Sequence, residues 1–342
     1  VVGIGSNGKI CDIIREILLD KQAVCSYGAK TELSMEGGRI ISTEPFYAYI
    51  KIAEGCSNNC TYCAIPSIRG KYRSRRMEDI VKEARWLAEN GVTELVVVAQ
   101  DTTRYGEDIY GKSMLPELLT ALCEIDGFKW IRTLYCYPER ITDELLDVIA
   151  KEDKLVKYLD MPIQHCDKTI LKRMNRHGDR ETLTALIKKI REKIPNVTLR
   201  TTLITGFPGE TEEQFEELCE FVKEIRFERL GCFAYSPEEG TPAEKFEDQV
   251  PLKDRERRAE IIMEEQMIIS DSLNEAALDS EVEVVCEGFD RYAECYYGRS
   301  QADAPEIDGI IFFLSEDKVR VGEYVKVKID DTMDYDLIGS KM

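Results

Sequence analysis

Between residues 46 and 234 the apolar positions fall into short runs separated by longer stretches with helical spacing. The runs 47–52, 95–100, 130–134, 157–161, 199–205 and 230–234 predict strands. Most are continuously apolar, as parallel strands covered on both faces are. The intervening stretches 77–90, 115–125, 143–150, 180–193 and 211–225 predict helices. Asn90-Gly91 is a helix stop, and Thr211 with Glu212 and Glu213 behind it is a helix start. Six β-α units in succession predict an α/β fold, a partial parallel (β/α)6 barrel. In such barrels the reacting groups gather at the C-terminal ends of the strands.

The flanks read differently. Residues 10–19 predict one helix with apolar positions at Ile10, Ile13, Ile14 and Ile17, followed by a polar, glycine-containing stretch ending near Glu44-Pro45. A charged helix over 252–274 closes the barrel region. Short strands over 281–286, 291–297, 309–314 and 324–329 then predict a small all-β barrel. The expected division is 1–35, the tail of an N-terminal domain; 36–45, a linker; 46–277, the barrel; and 278–342, the small β-barrel. The chain opens at Val1 on a segment that looks like the middle of a fold, so an upstream part is expected.

With 342 residues, 43% of them hydrophobic, the chain is long enough for more than one packed domain. No apolar run reaches the roughly 20 residues of a membrane span, and no export signal precedes the fold, so a cytoplasmic protein is expected. Twelve Cys at irregular spacing argue against a disulfide framework and for metal binding where they cluster. The formal net charge of −19 is a poor surface for a phosphate backbone and a good one for a basic protein.

The decisive stretch is Gly55-Cys56-Ser57-Asn58-Asn59-Cys60-Thr61-Tyr62-Cys63, directly after the first predicted strand. Three thiolates in a C-x3-C-x2-C arrangement can ligate three irons of a [4Fe–4S] cube and leave the fourth open. Structural zinc wants four ligands, and no second CxxC or nearby His supplies one. The spacing, with an aromatic before the last Cys, resembles the fingerprint of the radical S-adenosylmethionine (SAM) superfamily. That resemblance implies that Cys56, Cys60 and Cys63 hold the cluster, that SAM chelates the open iron, and that Tyr62 lies near its adenine. Cleavage of SAM would give a 5′-deoxyadenosyl radical able to take hydrogen from an unactivated carbon.

Three further strand ends carry polar residues. Gln100-Asp101-Thr102-Thr103 offers Gln100 to the cofactor; an ordinary βα loop is the alternative. Met161-Pro162-Ile163-Gln164-His165 offers Gln164 to cofactor and His165 to substrate, although a lone His is more often structural. Thr205-Gly206-Phe207-Pro208-Gly209-Glu210 opens a helix, and Gly206 and Gly209 allow a tight turn and close backbone approach. After a cluster motif this stretch, with Glu210, looks like a SAM-binding segment, and Arg200 is a partner for the SAM carboxylate. The basic run of Arg69, Lys71, Arg73, Arg75 and Arg76 is either a solvated face or a substrate contact, with Arg73, Arg75 and Arg76 as the substrate-binding candidates.

Together these motifs resemble the methylthiotransferases, a branch of the radical SAM superfamily, over nearly the whole chain. Residues 278–342 resemble the TRAM domain, a small OB-like barrel, with Gly322 to Ile329 and Leu337-Ile338-Gly339 fitting its ending. One branch of the family modifies an adenosine beside the tRNA anticodon. The other places a methylthio group on the β-carbon of an aspartate in small-subunit ribosomal protein number twelve. Cys63-Ala64-Ile65-Pro66-Ser67-Ile68-Arg69-Gly70, Gln100-Asp101-Thr102-Thr103 and Pro162-Ile163-Gln164-His165 look like the ribosomal-protein branch. From Glu281 to Met342 there are 15 acidic and 7 basic residues, a net of −8, which suits a basic protein and not tRNA. The family also implies an electron donor such as flavodoxin or ferredoxin. It implies a second [4Fe–4S] cluster, held by Cys of the N-terminal domain and expected only in the full-length protein. Cys11 and Cys25 do not fall where that second motif would place them.

Overall fold

The computed structural model describes residues 1–20, 23–32 and 35–342. Positions 21, 22, 33 and 34 of the expected N-terminal tail lie outside them. The first element is α1 (Ile10–Asp20). Of its expected apolar face only Ile13 is buried; Ile10, Ile14 and Ile17 are exposed, with no second layer over them among the described residues.

The barrel region runs β1 (Tyr47–Lys51), β2 (Ala53–Glu54), α2 (Ile65–Arg69), β3 (Arg73–Ser74), α3 (Met77–Glu89), β4 (Glu94–Val98), α4 (Glu107–Tyr110), α5 (Leu115–Cys123), β5 (Trp130–Thr133), α6 (Asp143–Lys151), β6 (Tyr158–Asp160), α7 (Lys168–Arg173), α8 (Arg180–Lys193), β7 (Thr198–Thr205), α9 (Glu212–Ile225) and β8 (Arg229–Ala234). The six long strands match the predicted ones to within two residues at each end. Thr211 caps α9 with a capping box to Gln214.

The strands are parallel, but they form two three-stranded sheets, β1-β4-β5 and β6-β7-β8. A single parallel bridge from Ile131 to Leu155 and the bond from Cys136 N to Asp160 O span the seam between them. Alternation along each strand divides the residues. Ala48, Ile50, Leu95, Val97, Ile131, Leu159, Leu199 and Leu203 pack outward in one large core with the helices. The other face differs from the apolar lining expected of it. It carries Tyr47, Glu94, Trp130, Arg132, Tyr158, Asp160 and Arg200, and polar loops of the next domain meet it.

That domain follows α10 (Leu252–Glu275). It comprises β9 (Glu281–Asp290), β10 (Cys295–Ser300), β11 (Ile311–Leu314), β12 (Tyr324–Met333) and β13 (Asp336–Lys341), a closed barrel in the order β10-β11-β13-β12-β9. The strand expected over 291–297 is instead a turn and then β10, because β9 continues to Asp290 and Glu294 turns the hairpin with φ 52°.

The two domains share a small core in which Phe46, Trp130 and Tyr158 meet Val285 and Ala304. Around it lies a buried ionic network. Glu94 and Arg132, both fully buried, pair at 3.1 Å. Glu94 also binds Arg299 of β10, which reaches Glu287 at 2.7 Å. Arg229 meets Asp303 at 2.5 Å, and Tyr158 donates to Asp308 at 2.6 Å. Residues 301–308 thus close one end of the half-barrel. No described helix is long and apolar enough to cross a membrane.

Candidate active site at the cysteine loop

The short antiparallel pair β2-β3, in which Glu54 stands opposite Arg73, pins the two ends of the segment that holds the cysteines. Gly55 enters it at φ 79°, where a Cβ would lie 2.4 Å from the Lys71 carbonyl oxygen, so only glycine fits. The loop is then tied to three other parts of the fold. Thr61 N and Oγ1 donate to the carbonyls of Met174 and Arg173 at 3.0 and 2.8 Å. Asn175 Nδ2 donates to the carbonyls of Asn58 and Asn59, both at 3.1 Å. Asn58 Nδ2 donates to Asp101 at 2.8 Å, so the end of β4 holds the loop as well.

Cys56, Cys60 and Cys63 are unpaired and half-buried, and Cys63 N closes a turn onto Cys60 O at 3.0 Å. Burial pushes the Cys56 and Cys63 thiols up. Binding iron there would therefore release protons, with the metal driving the ionisation. Among the described residues no three His, Cys, Asp or Glu side chains converge on one ion-sized point. A cubane asks for something else, one thiolate for each of three irons, and three accessible soft donors in a single braced loop fit that demand.

Cys60 has close neighbours. Its Sγ is 3.5 Å from Tyr137 Oη, and the guanidinium of Arg176 lies 4.1 Å from the Tyr137 ring centroid. Arg176 is 5% exposed, donates to Pro162 O at 2.8 Å and leaves its Nε without a partner among the described residues. Tyr62 packs edge-on to Phe207 at 6.5 Å, and Phe207 in turn meets Tyr235 and Phe246. Burial holds the Tyr62 phenol well above its usual range. The cysteine loop and the Gly206–Gly209 turn are thereby one packed unit.

In that turn Gly206 has φ 67° and Gly209 φ 82°. A Cβ on Gly206 would meet Arg255 Cγ at 2.4 Å, and one on Gly209 would meet Asp248 Oδ2 at 2.6 Å. Gln164 also adopts a left-handed conformation, at φ 72°, and bonds across to β7 through Thr202 O and Ile204 N. At the end of β4, Gln100 Oε1 is buried with no hydrogen-bond partner among the described residues. Buried polar groups are rarely left so without a ligand to meet them.

The pattern of the Radical SAM superfamily matches residues 50–222, and that of the TRAM domain residues 280–341. Three relatives bear the name ribosomal protein uS12 methylthiotransferase RimO. The protein from Clostridium tetani is 49% identical over 341 residues, 99% of this chain and 76% of that one. The protein from Clostridioides difficile is 50% identical over 339 residues, again 99% and 76%. The one from Caldanaerobacter subterraneus is 49% identical over 340 residues, 99% and 77%. The chain belongs to the RimO family of radical SAM methylthiotransferases. It is a transferase of the class that works with a [4Fe–4S] cluster and SAM.

Several residues expected at the site of this RimO-family chain are engaged with partners inside the fold. Arg200 is committed to Asp160 at 2.9 Å and faces Asp308 of the TRAM barrel at 3.6 Å. His165 is fully buried. Its Nδ1 accepts from Asp167 N at 2.9 Å, and its Nε2 lies 3.5 Å from Glu210 without a hydrogen bond. Glu210 is also internal: it accepts from Gly206 N at 2.9 Å and pairs with Arg258 at 2.8 Å. Arg75, 4% exposed, grips Glu36 with two bonds of 2.6 Å and meets Glu83 at 2.7 Å. Arg73 donates to the carbonyls of Lys30 and Thr31, while Arg76 is exposed. Sequence reasoning named none of Asn58, Asp101, Tyr137 and Arg176 as site residues. Asp101 sat in a motif already singled out, whereas nothing in the spacing around Arg176 marks it.

Proposed function

We propose that this chain is the catalytic and substrate-docking part of an enzyme that methylthiolates the β-carbon of an aspartate in ribosomal protein uS12. The observation that carries the reading is the braced three-cysteine loop, in a chain so similar over its whole length to proteins of that name. Cys56, Cys60 and Cys63 would hold a [4Fe–4S] cluster, and SAM would lie against Tyr62, Gln100, Gln164 and the Gly206–Gly209 backbone. When bound, cluster and SAM supply a radical that takes hydrogen from the substrate carbon.

The protein's own work is to place and to exclude. Asn58, Asp101, Thr61 and Asn175 fix the loop, and Tyr62 and Phe207 shield it with aromatic surface. Glu210 and His165 brace the Gly206 turn, a positioning role in place of direct contact. Arg200 and Arg75 hold domains and linker together, while Lys71 and Arg76 are exposed cations of the basic run. The division 1–35, 36–45, 46–277 and 278–342 stands as our assignment of domains. A second cluster on upstream Cys and an electron donor such as flavodoxin or ferredoxin complete the proposed system, in the cytoplasm where ribosomes are.

A tRNA substrate is disfavoured by charge. The TRAM barrel's net −8 is compounded by pairing: Arg299 is buried against Glu94, Lys328 meets Asp279 at 2.7 Å and Lys341 meets Asp317 at 3.4 Å. The four exposed cations that remain, Arg291, Lys318, Arg320 and Lys326, stand among 15 carboxylates, a poor surface for a phosphate backbone. With iron, sulfide, SAM and dithionite supplied anaerobically, uS12 raises the rate of 5′-deoxyadenosine formation and tRNA does not. Stimulation by tRNA alone would sink the reading.

A further inference from the structure

A cavity of about 410 Å³ opens between the ends of β1, β4 and β5 and the TRAM barrel, lined by Tyr49, Lys51, Gln100, Tyr135, Glu306 and Ile307 among others. Two of these residues are non-glycines held in the left-handed region, Tyr135 at φ 62° and Glu306 at φ 64°. Such backbone persists only where the surroundings enforce it, and it concentrates at binding sites. Asp160 accepts from Tyr135 N at 2.9 Å, and Tyr135 O accepts from Thr102 N at 3.1 Å, so the exposed ring is carried on a fixed main chain.

The charges facing the cavity are unequal. Lys51 is held by Glu54 at 2.6 Å. Glu306 is exposed and accepts from Tyr47 through Oε1 at 2.8 Å, with no ion pair among the described residues. Tyr49 stands edge-on to Tyr47 at 6.0 Å and donates to Pro305 O at 3.4 Å, so an aromatic wall adjoins the carboxylate. An unpaired carboxylate beside tyrosine rings, in a cavity of about 410 Å³, is suited to a cation on an aliphatic stem.

We propose that this cavity is a subsite for a lysine or arginine side chain of the protein substrate, with Glu306 of the TRAM barrel as its counter-charge and Tyr49 and Tyr135 as its walls. The inference rests on the protein-substrate reading above. It gives the TRAM barrel a part in choosing the residue that reaches the radical, beyond general attraction of a basic protein.

The test uses the reconstituted chain and two synthetic peptides spanning the target aspartate of uS12. One is native; in the other every Lys is norleucine and every Arg citrulline. Glu306→Gln loses about fivefold in affinity for the native peptide, the size of one exposed cation–π and ion-pair contact, and nothing for the neutral one. Formation of 5′-deoxyadenosine without peptide stays unchanged. Glu306→Asn removes the same charge while suiting the left-handed backbone, so it folds at least as well and shows the same selective loss. Equal losses for both peptides, no loss for either, or weakened SAM binding would overturn the subsite alone. A parent chain that binds neither peptide would remove the protein-substrate reading, and the subsite with it.

Discussion

A Cys60→Ala chain, reconstituted with iron and sulfide, binds little iron and forms 5′-deoxyadenosine at less than about a hundredth of the parent rate, a greater loss than removal of an outer-shell partner brings. The loop survives the change because its anchors lie elsewhere, on Met174, Arg173, Asn175 and Asp101. The midpoint of unfolding of the iron-free chain therefore moves little, which separates loss of a ligand from loss of fold. Tyr137→Phe, which removes only the hydroxyl 3.5 Å from Cys60 Sγ, keeps the iron and has a smaller effect. Iron and sulfide analysis beside product chromatography checks both. Full iron with no product in Cys60→Ala would mean that other residues ligate the cluster.

The second large effect is on stability. Glu94→Ala leaves Arg132 and Arg299, 0% and 2% exposed, without their shared carboxylate at the junction of barrel and TRAM domain. Removing one partner of a buried ion pair costs about 3–5 kcal/mol, because the remaining charge stays desolvated. Arg132 has little else to turn to: Nη1 already donates to Gln301 O at 2.9 Å and Nη2 has no partner among the described residues. The denaturant midpoint falls accordingly. Replacing Glu94, Arg132 and Arg299 together by Leu, Met and Met recovers most of the loss, since an apolar cluster of similar volume carries no cost of charge burial. A wild-type midpoint for Glu94→Ala would show that water reaches this junction.

Glu94 and Arg132 also show where the sequence stops being legible. The strands that carry them are found because continuous apolar runs, here Leu95 to Val98 and Trp130 to Ile131, are local signals. The charge on the inner face of each strand has meaning only once the TRAM barrel is docked, and Arg132 and its partner Gln301 are 169 residues apart in the chain. The cysteine loop is legible for the opposite reason: all three ligands fall within eight residues, so spacing alone carries the chemistry. Arg75 and Arg76 look alike in the basic run, yet one is locked onto Glu36 and Glu83 and the other is exposed. They stand between β3 and α3, and what separates them is the pairing of Arg75 with Glu36 and Glu83, neither of them near it in the chain. The left-handed backbone of Gln164, Tyr135 and Glu306 has no sequence mark, since none of them is Gly or Asn. The seam between the two sheets is equally silent, because β5 and β6 each look like ordinary buried strands.

The most direct test of the account follows a single hydrogen. A uS12 peptide deuterated at the β-carbon of its target aspartate is incubated with the reconstituted chain, SAM and dithionite, and the 5′-deoxyadenosine is weighed by mass spectrometry. Deuterium in the 5′-deoxyadenosine, absent when the label sits on any other residue of the peptide, is the predicted result. Unlabelled 5′-deoxyadenosine formed in the presence of bound, labelled peptide would contradict it.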